Sequence, residues 1–220
     1  MKNKMLNTFD ISHCYSADPE NFEFFFQKLD QFCHIKYLTI EDLKPDISSS
    51  LESIGDALGD NIKLEVLVLK ENRIKWIPYQ NFWESMLPNR TIQKINLQKT
   101  DMSDRVVEKM CEYLCQPEIT LVDLDVSKNH ISDAGLILLA RALKLNKSIK
   151  FLNLSANKIR EDGLTELVEF LNENTLLEEL SLGGNTINNE GIMILSKFLP
   201  HNQTLNHIDI GRNSFSDIGF

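Results

Sequence analysis

Residues 121–135 read LVDLDVSKNHISDAG, and the pattern returns as IKFLNLSANKIREDG at 149–163 and LEELSLGGNTINNEG at 177–191. Its ninth place gives Asn129, Asn157, Asn185 and Asn213, each twenty-eight residues after the last. Its first, fourth and sixth places are aliphatic: Leu121-Leu124-Val126, Ile149-Leu152-Leu154, Leu177-Leu180-Leu182 and Leu205-Ile208-Ile210. A fixed period in the range of about 20–50 residues is the signature of a solenoid. It favours a binding surface over an active-site pocket.

The frame runs backwards with one-residue slips. Ile92-Ile95-Leu97 leads to Thr100, Leu64-Leu67-Leu69 to Asn72, Ile35-Leu38-Ile40 to Leu43, and a degenerate Leu6-Phe9-Ile11 to Cys14. Eight copies then cover almost the whole chain. Within each copy the fourth and sixth places alternate with period two, as a short strand with one buried face requires. Past the ninth place the spacing turns helical: Gly135-Leu139-Leu143, Gly163-Leu167-Leu171, Gly191-Leu195-Leu199, and Val106-Met110-Leu114 without the glycine. Ser103 and Ser132 stand where an N-cap satisfies the first free helical N–H groups, and Asp18-Pro19 does so for a first helix over Asp18–Phe32. Each copy is therefore strand, turn, helix, turn. None buries its apolar faces alone, so the copies must stack into a parallel sheet backed by helices.

The run Leu121-x-x-Leu124-x-Val126-x-x-Asn129-x-Ile131-x-x-x-Gly135 resembles the leucine-rich repeat of the long, 28–29-residue, ribonuclease-inhibitor-like type. The resemblance covers residues 6–220 and implies an α/β horseshoe, with parallel strands on the concave face and helices on the convex face. It also implies that the ninth-place Asn is buried and hydrogen-bonds the backbone of adjacent coils as a ladder. Positions 72, 129, 157, 185 and 213 fit that role; Thr100 fits it in part, and Leu43 and Cys14 do not.

The reading is of one domain over residues 1–220. Residues 1–34, aromatic-rich with Phe22, Phe24, Phe25, Phe26 and Phe32, form an N-terminal capping repeat, and 205–220 form a truncated last repeat without its helix. The longest strictly apolar run, Leu136–Ala140, is far short of a membrane span, and Met1–Ser12 lacks the apolar core of a secretory signal. A net charge of −9 with no basic stripe argues against nucleic acid and an anionic membrane surface. A cytoplasmic chain that binds proteins is expected.

No motif for catalysis is found: no phosphate-binding glycine loop after a strand, no His-Glu-x-x-His, no Gly-x-Ser-x-Gly. Gly183-Gly184 reads as a small-residue patch on the concave face. Cys111 and Cys115 correspond to Ala140 and Lys144 one copy later, so they read as a packing thiol and a helix-edge thiol. Cys14 and Cys33 have neighbours His13 and His34, but the frame sends Cys14 and His13 in different directions. No metal, cofactor or disulfide is expected.

Three surfaces are candidates for partner binding. On the concave sheet, third- and fifth-place residues point outward, giving an apolar cluster of Tyr37, Val66 and Val68 and an acidic-aromatic patch of Asp123, Asp125 and Phe151. On the convex side Trp76, Tyr79 and Trp83 crowd onto one repeat, with Trp83 expected to be half exposed. At the C-terminal end Ile208, Ile210 and Phe215 belong to a coil without its helix, and another molecule or a continuation of the array is expected to cover them.

Two functions follow. One is a non-catalytic scaffold or adaptor, a subunit of a larger assembly. Abundant Asn, Lys, Ile and Phe are the composition of an AT-rich genome, such as that of a protist, where a cytoskeletal or ciliary complex is the expected setting. The other, which the resemblance allows, is a regulator of an enzyme or small GTPase, of the inhibitor or GTPase-activating type, or a secreted effector of an intracellular bacterium. The acidic C-terminal tail of the GTPase-activating type is missing.

Overall fold

The computed structural model describes residues 6–15, 24, 34–43, 46–59 and 63–216. The expected helix over Asp18–Phe32 of the N-terminal capping repeat lies outside the described residues apart from the exposed Phe24, whereas residues 6–15 of that repeat are described.

Eight strands form one parallel sheet in sequence order: β1 (Thr8–Ser12), β2 (Tyr37–Glu41), β3 (Val66–Val68), β4 (Lys94–Asn96), β5 (Asp123–Asp125), β6 (Phe151–Asn153), β7 (Glu179–Ser181) and β8 (His207–Asp209). Six described helices follow strands β2 to β7: α1 (Ser48–Gly59), α2 (Trp76–Met86), α3 (Asp104–Leu114), α4 (Asp133–Leu145), α5 (Glu161–Glu173) and α6 (Asn189–Phe198). The register pairs equivalent places without slip, so Leu38, Leu67, Ile95, Leu124, Leu152, Leu180 and Ile208 stack as one inward column. First- and sixth-place aliphatics are buried from Ile35 to Leu182. The one-residue slips in the frame are absorbed in turns and leave the sheet intact.

The ninth-place asparagines form the ladder. Asn157 donates from Nδ2 to the carbonyls of Val126 (3.1 Å) and Leu154 (3.0 Å), and its Oδ1 accepts from Ile131 N–H (3.1 Å). Asn129, Asn185 and Asn213 repeat the same three-way bond, each to its own sixth place, the preceding sixth place and the preceding eleventh-place N–H. Asn72 reaches Ile40 and Leu69 in the same way, while its Oδ1 accepts from Leu43 N–H. Leu43 is a core residue and Cys14 is half-buried, so neither extends the ladder. Thr100 is the partial member. Its hydroxyl donates to Leu97 O (2.8 Å), and the buried Tyr79 hydroxyl, 2.6 Å away, takes up the side of Thr100 that an amide would have filled.

A second asparagine series, at the turn after the helix, escapes the first frame. Asn89, Asn146, Asn174 and Asn202 each accept two N–H groups of the following turn through Oδ1. Asn89, Asn146 and Asn202 also donate to the helix-end carbonyl of the preceding coil, those of Leu58, Leu114 and Leu171. The spacing of the last three equals that of the ladder, which is the signal that would have found them.

Helix starts are tied across coils as well. Ser132 caps its own helix through Ala134 N–H (3.2 Å), whereas Ser103 makes no side-chain cap. The carboxylate directly after each of these serines does more: Asp104 accepts from Ser132 N–H (2.8 Å), and Asp133 from Arg160 and Gly163 N–H. A negative group at a helix start is favoured by the helix dipole. A Cβ on Gly135 would lie 2.3 Å from Asp104 Oδ1, and one on Gly163 would lie 2.8 Å from Asp133 Oδ1. These glycines make room for the neighbouring coil's carboxylate. Val106 can replace the glycine in its own coil because the preceding coil has Trp76, not Asp, at that place.

The aromatics of α2 are interior. Trp83 is fully buried, not half exposed, packed edge-on to Phe82 (5.3 Å between centroids) and against Tyr113 of α3 (5.5 Å). It fills the space that Cys111 and Ala140 leave at the equivalent place in later coils. The Trp83 Nε1 and the Tyr113 hydroxyl are buried without a hydrogen-bond partner.

Two tyrosines therefore predict opposite outcomes. Tyr79→Phe removes the bond to Thr100 and should cost about 1 kcal/mol, while Tyr113→Phe removes an unpaired hydroxyl and should be neutral or stabilising. Urea unfolding of both variants checks this, and a clear loss for Tyr113→Phe would place a partner on that hydroxyl. Asn157→Ala should cost about 1–3 kcal/mol by leaving backbone groups of two coils unpaired. An unchanged melting temperature would remove Asn157 from the ladder.

Candidate functional site

The sheet sends alternate side chains outward, and register turns them into columns. The third-place column runs Thr8, Tyr37, Val66, Lys94, Asp123, Phe151, Glu179, His207, and the fifth-place column runs Asp10, Thr39, Val68, Asn96, Asp125, Asn153, Ser181, Asp209. Tyr37 is 42% exposed while Leu38 beside it is 1% exposed. Val66, Val68, Asp123, Asp125 and Phe151 are half-buried against their column neighbours. The structure thus brings Tyr37, Val66 and Val68 together over β2 and β3, and Asp123, Asp125 and Phe151 together over β5 and β6.

Hydrogen bonds organise the strip. Lys94 Nζ pairs with Asp123 at 2.5 Å across β4 and β5. At the fifth place Asn96, Asp125, Asn153 and Asp209 each accept from the backbone N–H two residues on, at 2.9–3.0 Å. These bonds fix the exit of each strand. Asn153 also donates to Asp125 Oδ2 (3.2 Å). Two grooves follow the strip: one of about 200 Å³ lined by Lys94, Asp123, Asp125, Phe151, Asn153 and Glu179, and one of about 390 Å³ lined in part by Asn153, Ser155, Gly183 and Asp209. They meet at Asn153. Gly183 is buried there, and a Cβ on it would lie 2.6 Å from Asp209 Oδ2, so its smallness admits that carboxylate.

The turn rim carries charge of its own. Tyr15 donates to Asp42 (2.7 Å), which raises the Tyr15 pKa, and Lys99 pairs with Glu71 (2.8 Å), which lowers the Glu71 pKa. The thiols are poorly suited to nucleophilic work: burial pushes Cys111 up to about 12 and raises Cys115 as well. Among the described residues no group of three or more His, Cys, Asp and Glu could hold a metal ion, and no helix is long and apolar enough to cross a membrane.

The other two candidate surfaces fare unequally. Of the three convex candidates only Trp76 reaches solvent, 38% exposed with the Arg105 guanidinium 3.6 Å above its ring, beside Ile77 at 54%. Tyr79 and Trp83 are buried, so they cannot touch a partner; their rings serve the core and the Thr100 bond. In the last coil Ile208 and Ile210 are half-buried, where the equivalent Leu180 and Leu182 are fully buried, and Phe215 is 37% exposed.

Fold and surface together define an α/β solenoid whose turns are locked by an asparagine ladder and whose sheet is displayed on one face. The family model described as "Leucine Rich repeat" matches residues 119–140, 173–196 and 201–219, so these three stretches match the leucine-rich repeat and the fold is that of a leucine-rich repeat solenoid. Among solved structures it is similar to leiomodin-1 actin-binding site 2, at 20% identity over 72% of this chain and 90% of that one, with a TM-score of 0.52. It is also similar to the tropomodulin C-terminal domain of Caenorhabditis elegans, at 19% identity over 69% of this chain and 92% of that one, with a TM-score of 0.58. These likenesses are of fold.

The register makes a stability prediction. Tyr37→Ala and Phe151→Ala should each cost under about 1 kcal/mol, whereas Leu152→Ala, on the inward column, should cost about 2–5 kcal/mol. Chemical denaturation of the three variants reads this, and an inverted order would reverse the faces of the sheet.

Proposed function

We propose that the chain is a non-catalytic scaffold or adaptor, a subunit of a larger assembly, that meets its protein partner with the concave face of its sheet. The observation that carries this reading is the outward column in which Tyr37, Val66, Lys94, Asp123 and Phe151 stand on consecutive backbone-paired strands. Side chains held by a rigid sheet lose little further freedom on binding, and aromatic groups beside charges are the usual anchors of interfaces. The exposed Trp76 and the Ile208, Ile210 and Phe215 coil are secondary contact surfaces in the same reading.

A cytoskeletal setting in the cytoplasm is the finer part of the proposal. It is supported by the leiomodin-1 structure being named an actin-binding site, which makes actin the first partner to test. Co-sedimentation with filamentous actin is the measurement. The wild-type chain should pellet with filaments, and the double variant Tyr37→Ala/Phe151→Ala should bind at least about tenfold more weakly, the loss of one good anchor. A wild-type chain that stays in the supernatant removes actin as the partner. Undiminished binding by the variant moves the site off the concave face.

A further inference from the structure

The concave strip is not uniform along the arc. Over β2 and β3 it presents Tyr37, Val66 and Val68 without a charge in the third and fifth places. Over β5 to β8 the same places hold Asp123, Asp125, Glu179 and Asp209, with Phe151 between two of the acids in the third-place column. We propose that the strip is polarised, and that it takes one protein segment whose apolar part lies over β2–β3 and whose arginine- and lysine-rich part lies over β5–β8. This rests on the concave reading above and names the chemistry of the partner.

Two observations give the acids a meaning beyond the fold. The structural task of the fifth place is to accept the N–H two residues on, and Asn96 and Asn153 perform it as well as Asp125 and Asp209 do. The charge at Asp125 and Asp209 is therefore surplus to that task. Of the four acids only Asp123 makes an ion pair among the described residues, with Lys94 at 2.5 Å. His207 ends the third-place column, and Lys128 and Arg212 border the larger groove from the eighth place of their coils, in the turn beyond the strand. Lys128 and Arg212 flank the strip and form no ion pair with these acids among the described residues.

The aromatic fits the same occupant. Phe151 is half-buried between Asp123 and Glu179 in the third-place column, and both acids line the groove it walls. A guanidinium stacks on an aromatic face while its edge donates to carboxylates, a geometry that arginine satisfies better than lysine. From β2 to β8 the strip spans six strand intervals, ~29 Å, about the length of a 20-residue helix.

The test presents a random library of peptides, each about 20 residues long, to the immobilised whole chain. Enriched peptides should carry an apolar cluster and an arginine or lysine cluster. The neutralised variant Asp125→Asn/Glu179→Gln/Asp209→Asn should melt with the wild type, because the new asparagines keep the turn bond. It should capture those peptides about tenfold more weakly and lose their sensitivity to salt. Tyr37→Thr/Val66→Thr should weaken capture while leaving the salt sensitivity intact. Enrichment of acidic or uncharged peptides, no enrichment at all, or capture unchanged by the neutralised variant would overturn the proposal. Acidic peptides lost on Tyr37→Thr/Val66→Thr would leave the concave reading standing and sink the polarity alone. Peptides indifferent to every concave variant would sink both.

Discussion

Everything in this molecule depends on a buried amide. A turn between a strand and a helix leaves backbone N–H and C=O groups that no regular element satisfies, and leaving them dry in a core is costly. An asparagine side chain offers two donors and an acceptor at one point. In each of the coils ending at Asn129, Asn157, Asn185 and Asn213 it ties its own sixth-place carbonyl, the preceding one, and an N–H of the preceding coil. A coil cannot therefore form its turn without its neighbour. Cooperativity is built into the hydrogen bonding as much as into the packing.

The same neighbour dependence governs the charges. Lys36–Glu65, Lys94–Asp123, Lys99–Glu71 and Lys150–Glu178 all link adjacent coils at equivalent places, and Arg141 and Lys144 reach from α4 to Glu166 on α5. Such exposed pairs contribute about 0–1 kcal/mol each, so their value lies in register more than in stability. A coil shifted by one place would set like charges and core residues against the wrong partners. Against this background of paired charge, the unpaired acids at Asp125, Glu179 and Asp209 stand out as a surface feature with a different purpose.

The repeat around α2 shows how the pattern absorbs a departure. It lacks the carboxylate that caps the next helix, having Trp76 there, and the coil after it lacks the ladder asparagine, having Thr100. Tyr79 from α2 repairs the second loss through its hydroxyl, and Trp83 and Tyr113 fill the space between α2 and α3. The aromatic crowding that looks like a convex binding site is mostly this repair, with Trp76 alone reaching solvent beside Ile77.

What the sequence determined by itself is the repeat, the direction in which each strand residue points, and the columns they form. The alternation of a strand is local geometry, and a constant period stacks equivalent places whatever surrounds them. It also placed the ladder at Asn72, Asn129, Asn157, Asn185 and Asn213 and marked Leu43 and Cys14 as gaps. Tertiary structure decided the rest: that Trp83 and Tyr79 are buried, that Thr100 finds its partner twenty-one residues back, and that Gly135 exists to admit Asp104 from the preceding coil. Each of these turns on which atoms of two different coils meet. Spacing along one chain fixes which coils are neighbours, but the space between them is set only when both are packed.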